Sequence, residues 1–235
     1  MHKKIEEIKK TEGPPQVIKN IFTENEIKKF LELYLELPTT VHNKKQNVIK
    51  KRWLFDYGKN LQKTFYKKVK DIIGDFKMDN LKSDDGNDIW GLFQESYNPI
   101  GLHIDSGFNY DDHIYKQTLI PLTPVGSTVI FKNRFYGKST NFTIDKKELE
   151  MKNLKYGQNL RSSEHTKMFG QKPFDEKIYN KFLSHEKLDN LKGLEVELIY
   201  KWELGSILIF DRSHLHCSSS QIEGKKIGLT TFTKK

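Results

Sequence analysis

A histidine and an aspartate stand one residue apart in the segment GLHIDSGF, at positions 103 and 105. Side chains alternate between the two faces of a β-strand, so in a strand His103 and Asp105 would project to the same face and reach one metal ion. Imidazole nitrogen and carboxylate oxygen are both common metal ligands. We therefore expect this pair to supply two ligands of a metal site, and we expect a third ligand from a distant strand.

Two candidates for the third ligand lie near the end of the chain. In the segment WELGSILIFDRSHLHCS, an apolar strand that ends at Phe210 and Asp211 is followed by His214 and His216. The two histidines have the same parity, so strand alternation does not separate them. Either histidine could complete the site, and His214 could instead lie behind the ligands or on the substrate side.

The ligand set indicates which metal the site would prefer. Two imidazoles and one carboxylate on one face of a metal leave three adjacent positions open, which is the arrangement of non-heme Fe(II) oxygenases. Zinc is the alternative, although zinc sites more often use four protein ligands, or three and a water. Iron needs an electron source to activate oxygen, and a chelating 2-oxo acid can supply it if a cation holds the far carboxylate. Lys226, at the start of the last strand, could make that charge-assisted bond, whereas Lys225 has the opposite parity and should face solvent.

Together these residues resemble the 2-oxoglutarate- and Fe(II)-dependent dioxygenases of the double-stranded β-helix fold. That family has His-x-Asp on an early strand, a strand of the form G-x-apolar-apolar-apolar-F-[DS], a histidine six residues past the Phe, and Arg or Lys about ten residues further on. The chain matches this pattern with His103, Asp105, residues 205–210, His216 and Lys226. The family spacing favours His216 over His214. The resemblance covers residues 90–233 with a gap, and the first helix.

The resemblance implies an enzyme that binds Fe(II) through His103, Asp105 and His216. The cosubstrate would be 2-oxoglutarate, anchored by Lys226, and O2 would convert it to succinate and CO2 while an unactivated C–H bond of a small-molecule or peptide substrate is hydroxylated. Ascorbate would stimulate such an enzyme. A lysine anchor resembles the branch that contains the collagen-type prolyl hydroxylases. Tyr97 and Thr118 are further candidates for contacts to the cosubstrate, but a core tyrosine and an ordinary strand threonine are the alternatives.

Two other functions are compatible with the same residues. A non-catalytic, cupin-like metal-binding jelly roll that acts as a sensor would keep the fold and the ligands without needing Lys226 to point inward. A nucleic-acid-modifying oxygenase would use the same core with a basic groove. The net charge of +9 permits nucleic-acid binding, but only four of the 40 basic residues are Arg and the lysines are scattered along the chain, so we do not favour it.

Composition limits the organisation of the chain. With 235 residues, 36% of them hydrophobic, the chain can bury one sizeable core, and the absence of a linker-like stretch predicts one domain over residues 1–235. No apolar run is long enough to span a membrane or serve as a signal peptide, so we expect no membrane partner. The single cysteine, Cys217, suits a reducing compartment, and we expect a cytoplasmic protein.

The sequence pattern also predicts the helices and strands that would hold these residues in place. The segment NIFTENEIKKFLELYLELP predicts a helix capped by Thr23 and Glu26 and ended before Pro38, and a second amphipathic helix is predicted from about residue 60 to Ile73, ended by Gly74. From about residue 88 the chain has β-branched and aromatic runs, DIWGLFQESY, KQTLIPL, GSTVIF, VELIYKW, SILIFD and IGLTTFT. These predict a sandwich or jelly roll, mainly β with flanking helices, in which residues 1–88 are supporting helices and residues 89–235 form the double-stranded β-helix.

A polar stretch interrupts the predicted strands over residues 136–194. We expect it to be an insertion that is helical around residues 175–183 and acts as a lid over the site. Arg161 within it is the candidate for an anionic group of the substrate, because a guanidinium binds carboxylate or phosphate with two hydrogen bonds. The alternative for the insertion is a solvated decoration or an oligomer contact.

Overall fold

The computed structural model describes residues 3–44, 47–79, 81–82, 86–105, 113–136 and 169–235. Its strands are β1 (Gln16–Ile18), β2 (Val41–Asn43), β3 (Val48–Leu54), β4 (Lys77–Met78), β5 (Leu81–Lys82), β6 (Asp88–Ser96), β7 (Ile114–Pro121), β8 (Ser127–Arg134), β9 (Val196–Lys201), β10 (Ile207–Asp211), β11 (His214–Ser218) and β12 (Lys226–Lys234). The six strands named in the sequence pattern are all present, and this prediction is confirmed.

The strands of this part of the chain form two antiparallel sheets. The large sheet has the order β1-β10-β7-β12-β6-β3-β2, with β4 beside β12 and β5 beside β6, and the small sheet has the order β11-β8-β9. Apolar side chains from both sheets pack between them, namely Ile130, Tyr200, Trp202, Leu208 and Phe210. The fold is therefore mainly β, a jelly roll of the double-stranded β-helix type, as predicted.

Three helices lie near the N-terminus: α1 (Lys3–Lys9), α2 (Glu24–Glu36) and α3 (Lys59–Ile73). The Thr23 side chain accepts a hydrogen bond from the Glu26 backbone N–H at 3.2 Å, and the Glu26 carboxylate accepts one from the Thr23 N–H at 2.7 Å, so the predicted capping box is present. α3 ends at Gly74, whose positive φ of 73° suits glycine. The boundaries of both predicted helices are confirmed to within a residue.

The apolar faces of α2 and α3 pack on the outer face of the large sheet. Phe30, Phe65, Trp53, Phe93 and Leu229 are all fully buried there. This layer of helices leaves the opposite face of the large sheet to line the space between the two sheets. The central strands of the large sheet are therefore buried on both faces.

The segment after residue 169 covers the outer face of the small sheet. It contains α4 (Glu176–Ile178), which continues as a π-helical turn (Tyr179–Leu183), and a short 3-10 helix (Leu188–Leu191). Leu183 and Leu191 pack there against Phe131 and Ile104. The predicted helix around residues 175–183 is confirmed.

Two expectations about elements need correction. Residues 1–88 are not only supporting helices, because β1 pairs with β10 and β3 pairs with β6 over its whole length, so this region also extends the large sheet. The pattern of β3, VIKKRWL, hides a strand because three consecutive cations break its alternation. His103 lies in an isolated bridge to His216 rather than in a regular strand.

No helix in the described ranges is both long and apolar enough to cross a membrane.

Candidate metal centre and adjoining pocket

The structure brings His103, Asp105 and His216 together. One ligand atom from each lies within 4.8 Å of the others. The His103 N–H donates to the His216 carbonyl at 2.9 Å, and the His216 N–H donates to the His103 carbonyl at 3.0 Å. This reciprocal bridge fixes the two backbones, and the imidazole centroids are 4.3 Å apart.

The hydrogen bonds of the two imidazoles set their tautomers. The Nδ1 atom of His103 lies 2.6 Å from the Gly101 carbonyl oxygen, and the Nδ1 atom of His216 lies 3.0 Å from the His214 carbonyl oxygen. A carbonyl oxygen only accepts hydrogen bonds, so each Nδ1 carries a proton and each Nε2 points into the site. The backbone thus holds both rings in the orientation that a metal ligand needs.

The Asp105 carboxylate faces both Nε2 atoms. Its two oxygens lie 3.2 Å from Nε2 of His103 and 3.2 Å from Nε2 of His216. Burial alone would raise the pKa of Asp105, but the imidazoles of His216 and His103 outweigh it and hold that pKa well below its ordinary value. The site therefore favours an ionised carboxylate beside two nitrogen donors.

His214 lies outside this group of ligands. Its Nδ1 accepts a hydrogen bond from the Asp211 backbone N–H at 3.1 Å, and its Nε2 lies 3.1 Å from a Glu197 carboxylate oxygen. The strand register shifts between His214 and His216, so the two side chains do not share one environment despite their parity. Burial lowers the pKa of His214 to about 2, and it is a neutral, fully buried side chain.

Gln117 is a site residue that the sequence analysis missed. Its amide nitrogen donates to Asp105 Oδ2, and its amide oxygen is buried without a hydrogen-bond partner in the described part of the chain. The expectation for its neighbour Thr118 needs correction, because Thr118 points to the helix side of the sheet, where its hydroxyl bonds that of Thr231 at 2.8 Å. β7 has the sequence IYKQTLIP, in which Lys116 and Thr118 flank Gln117, so no pattern in the sequence distinguishes Gln117 as a site residue.

Tyr97 is also placed away from the pocket. Its hydroxyl donates to Glu95 Oε1 at 2.7 Å, and Glu95 also accepts from Tyr34 and pairs with Lys225. This cluster lies on the helix side of the large sheet, because Glu95 is two residues after the core residue Phe93 in β6 and projects from the same face. The expected contact of Tyr97 with a cosubstrate is therefore corrected.

Lys226 points into a pocket that adjoins the metal ligands, whereas Lys225 is half-exposed, as their parity predicts. The Lys226 side chain is only 3% exposed. Its Nζ donates to the Ser127 carbonyl at 3.0 Å and to the Ser218 hydroxyl at 3.3 Å. No carboxylate of the described residues pairs with it, and burial lowers its pKa to about 7.

The wall around Lys226 carries an indole and two hydroxyls. The Trp202 ring centroid lies 4.2 Å from Nζ of Lys226, and the indole N–H donates to the Thr128 hydroxyl at 2.8 Å. Because Thr128 accepts from Trp202 and Ser218 accepts from Lys226, the hydroxyl protons of both residues remain available to a further acceptor. The pocket thus offers a cation and two hydroxyl donors at one end, and the metal ligands His103, Asp105 and His216 also line it.

Arg161, the candidate for a substrate anion, lies outside the described residues, as does the greater part of the predicted lid. The aromatic residues Trp90, Phe93 and Phe131 are buried in the core.

Comparisons with known proteins find similarity in structure but not in sequence. No protein-family model and no curated protein match the chain. An oxidoreductase of the 2OG-Fe(II) oxygenase family from Burkholderia pseudomallei matches with a TM-score of 0.51 and 10% identity, over 94% of this chain and 84% of that chain. The viral collagen prolyl hydroxylase vCPH from Paramecium Bursaria Chlorella virus-1, in its 2OG complex, matches with a TM-score of 0.50 and 9% identity, over 94% and 96%.

A third structure extends the range of known reactions among these matches. The epimerase SnoN, in complex with Fe3+, alpha ketoglutarate and nogalamycin RO, matches with a TM-score of 0.51 and 6% identity, over 98% of this chain and 84% of that chain. At such identities the likeness shows the fold. The chain has the fold of 2OG-Fe(II) oxygenase structures, and the resemblance seen in the sequence is confirmed at that level.

Proposed function

We propose that this protein is an Fe(II)- and 2-oxoglutarate-dependent oxygenase that hydroxylates a C–H bond of a small-molecule or peptide substrate. The observation that carries the proposal is the pairing of two features in one pocket. Two histidines and an aspartate converge at one end, and a buried lysine without a counter-charge among the described residues lies at the other.

The ligand atoms fit a metal ion. Two nitrogen lone pairs and an ionised carboxylate within 4.8 Å of one another need a cation between them, either a proton on a ring or a metal. Nitrogen and oxygen donors in the ratio of two to one suit Fe(II). His103, Asp105 and His216 would hold the ion, and Gln117 would orient the carboxylate by its hydrogen bond to Asp105.

The other end of the pocket fits the far carboxylate of 2-oxoglutarate. The Lys226 ammonium and the hydroxyls of Thr128 and Ser218 would all donate to it, and Trp202 closes the wall behind them. A buried ammonium without a counter-charge is costly, so an incoming carboxylate restores the charge balance of the pocket. These residues replace Tyr97 and Thr118 as the proposed contacts of the cosubstrate.

The chain itself would contribute orientation and exclusion of water. Iron bound there, together with 2-oxoglutarate and O2, would supply the oxidation, with succinate and CO2 as the products of the oxo acid. Phe210 packs 5.0 Å from the His216 ring, between centroids, and shields that side of the ligand from solvent. Lys226 would fix the orientation of the oxo acid, because it lines the same pocket as His103 and His216.

The proposal is tested by 2-oxoglutarate turnover with Fe(II) and ascorbate, and by Co(II) affinity. His103→Ala, Asp105→Ala and His216→Ala should each weaken Co(II) binding at least tenfold and abolish turnover. His42→Ala removes an exposed histidine and serves as the control. His214→Ala should keep the metal, because His214 bonds to Asp211 and Glu197 instead.

The outcomes separate the candidate functions. Succinate formed from 2-oxoglutarate by the parent and by His42→Ala, but not by the ligand variants, supports an oxygenase. Metal binding without any 2-oxoglutarate turnover would indicate a sensor of cupin type. Loss of Co(II) binding in His214→Ala together with retention in His216→Ala would contradict the ligand assignment.

A further inference from the structure

β3 extends the large sheet beyond the strands that line the pocket. Its register places Lys50 opposite Gln94 and Arg52 opposite Leu92. Residues directly opposite one another in antiparallel strands project from the same face. Gln94 and Leu92 line the pocket, so Lys50 and Arg52 project from the pocket face of the sheet.

The neighbouring lysine shows the contrast. Lys51 projects from the opposite face, where its ammonium donates to the Tyr34 carbonyl at 2.7 Å and lies 4.5 Å from the Tyr34 ring centroid. Lys51 therefore has a structural role beneath α2. Lys50 has no such role, since no carboxylate of the described residues forms an ion pair with it.

Lys50 also stands directly opposite a residue of the pocket wall, because its partner Gln94 on β6 lines the pocket that the metal ligands share. The side chain is half-buried, so part of its hydration is already lost. A partly desolvated cation beside the mouth of a pocket is a strong partner for an oxyanion.

We propose that Lys50, with Arg52 two residues along the same face, binds an anionic group, a phosphate or a carboxylate, on the primary substrate. This inference rests on the proposed function, because it places the substrate on the β3 side of the pocket that the metal ligands line. The two positions are about 7 Å apart along the strand, a spacing that two long basic side chains can close around one oxyanion. Lysine supplies a point charge and arginine a planar fork, so together they suit an oxyanion of more than one geometry.

The test uses methylphosphonate and acetate as probes of the two anion types, with acetamide as the neutral probe. The protein is loaded with Mn(II) and saturated with 2-oxoglutarate, so that Lys226 is occupied. Relaxation of the probe methyl protons by Mn(II) then reports binding near the metal, and Zn(II)-loaded protein gives the diamagnetic baseline. Lys50→Glu and Lys50→Met are compared with Lys63→Glu, which makes the same charge change at an exposed position of α3.

We expect saturable relaxation of at least one anionic probe, but not of acetamide, in the parent and in Lys63→Glu. The two Lys50 variants should bind that probe at least tenfold more weakly while Mn(II) and 2-oxoglutarate affinities stay unchanged, which also shows that they fold. No saturable anion binding in the parent, or equal binding in Lys50→Met, would overturn the inference alone. Failure of the parent to bind Mn(II) or 2-oxoglutarate would overturn the proposed function, and the inference with it.

Discussion

Lys226 is a buried lysine whose ammonium has no carboxylate partner among the described residues. Burial lowers its pKa to about 7, and the neighbours that contact its ammonium are a carbonyl, a hydroxyl and an indole ring. A carboxylate that enters the pocket favours the charged ammonium and raises the pKa again. Binding of 2-oxoglutarate should therefore take up a proton whenever the free protein has lost it.

The sign of the pH dependence follows. Below pH 7 the ammonium of the free protein is charged and affinity is constant, whereas above pH 7 each pH unit should weaken 2-oxoglutarate binding about tenfold. Calorimetry on the Mn(II)-loaded protein between pH 6 and 8.5 measures this slope. Lys226→Arg should lack it whatever its absolute affinity, because arginine stays charged. A parent affinity that does not change across this range would argue against Lys226 as the anchor.

At the scale of residues, the sequence identified the metal ligands but not all of the pocket. His103, Asp105, His216 and Lys226 could be found because their chemistry is rare and their spacing matches a known pattern. The sequence pattern predicts Thr118 as a pocket residue, but the structure places its neighbour Gln117 there. β7 is buried on both faces, by helices on one side and by the small sheet on the other, so alternation of polar and apolar residues does not tell which face lines the pocket.

The segment that carries His103 is held by a helical element as well as by β11. Glu186 follows the π-helical turn that ends at Leu183, and its carboxylate accepts a hydrogen bond from the Leu102 backbone N–H at 2.5 Å. Residues 100–105 also bond to β11, through the His103–His216 bridge and through the Ser218 N–H, which donates to the Ile100 carbonyl at 2.9 Å, so the Glu186 contact supplements this short pairing.

Glu186 is accordingly a positioning residue for His103. Glu186→Ala leaves the buried Leu102 N–H without its acceptor, at a cost of about 1–3 kcal/mol, and should weaken Co(II) affinity about tenfold or more. Glu186→Gln keeps an oxygen acceptor and should restore most of the affinity. Glu176→Ala, at an exposed position of α4, is the control. If Glu186→Ala lowers the free energy of unfolding but leaves Co(II) affinity unchanged, the residue has a structural role only.

At the scale of elements, predictability followed how local the signal is. α2 and α3 could be bounded to within a residue because capping and termination depend on neighbours in the chain. β3 was missed because its cations suit a strand only once β6 lies beside it and the pocket face stays partly open. Strand pairing is set by distant residues, which a single sequence does not display.

For the whole molecule, the site depends on how closely the two sheets approach. Trp202 follows β9 of the small sheet, and its ring lies against Gly228 of β12 in the large sheet. A Cβ at Gly228 would come within 2.7 Å of Trp202 Cη2 and 3.2 Å of a Leu119 methyl carbon. Glycine at this position thus lets the indole reach Lys226, two residues earlier on the same strand face. The strand pattern of the sequence predicts the jelly roll. It does not predict the contact of Trp202 with Gly228, because these residues are 26 positions apart and lie on two different sheets.

Gly228→Ala should therefore force the sheets or the indole to move. We expect a loss of about 1–3 kcal/mol in the free energy of unfolding, as for other overpacked cores, together with weaker 2-oxoglutarate binding because Trp202 no longer supports Lys226. Gly13→Ala is the control, since a Cβ there would meet no atom within 4 Å. Trp202→Phe removes the atoms that clash, so the double variant Gly228→Ala/Trp202→Phe should be destabilised by less than the sum of the two single variants. Urea unfolding of the four proteins measures the coupling, and strict additivity would show that Gly228 is not needed for the indole to pack between the sheets.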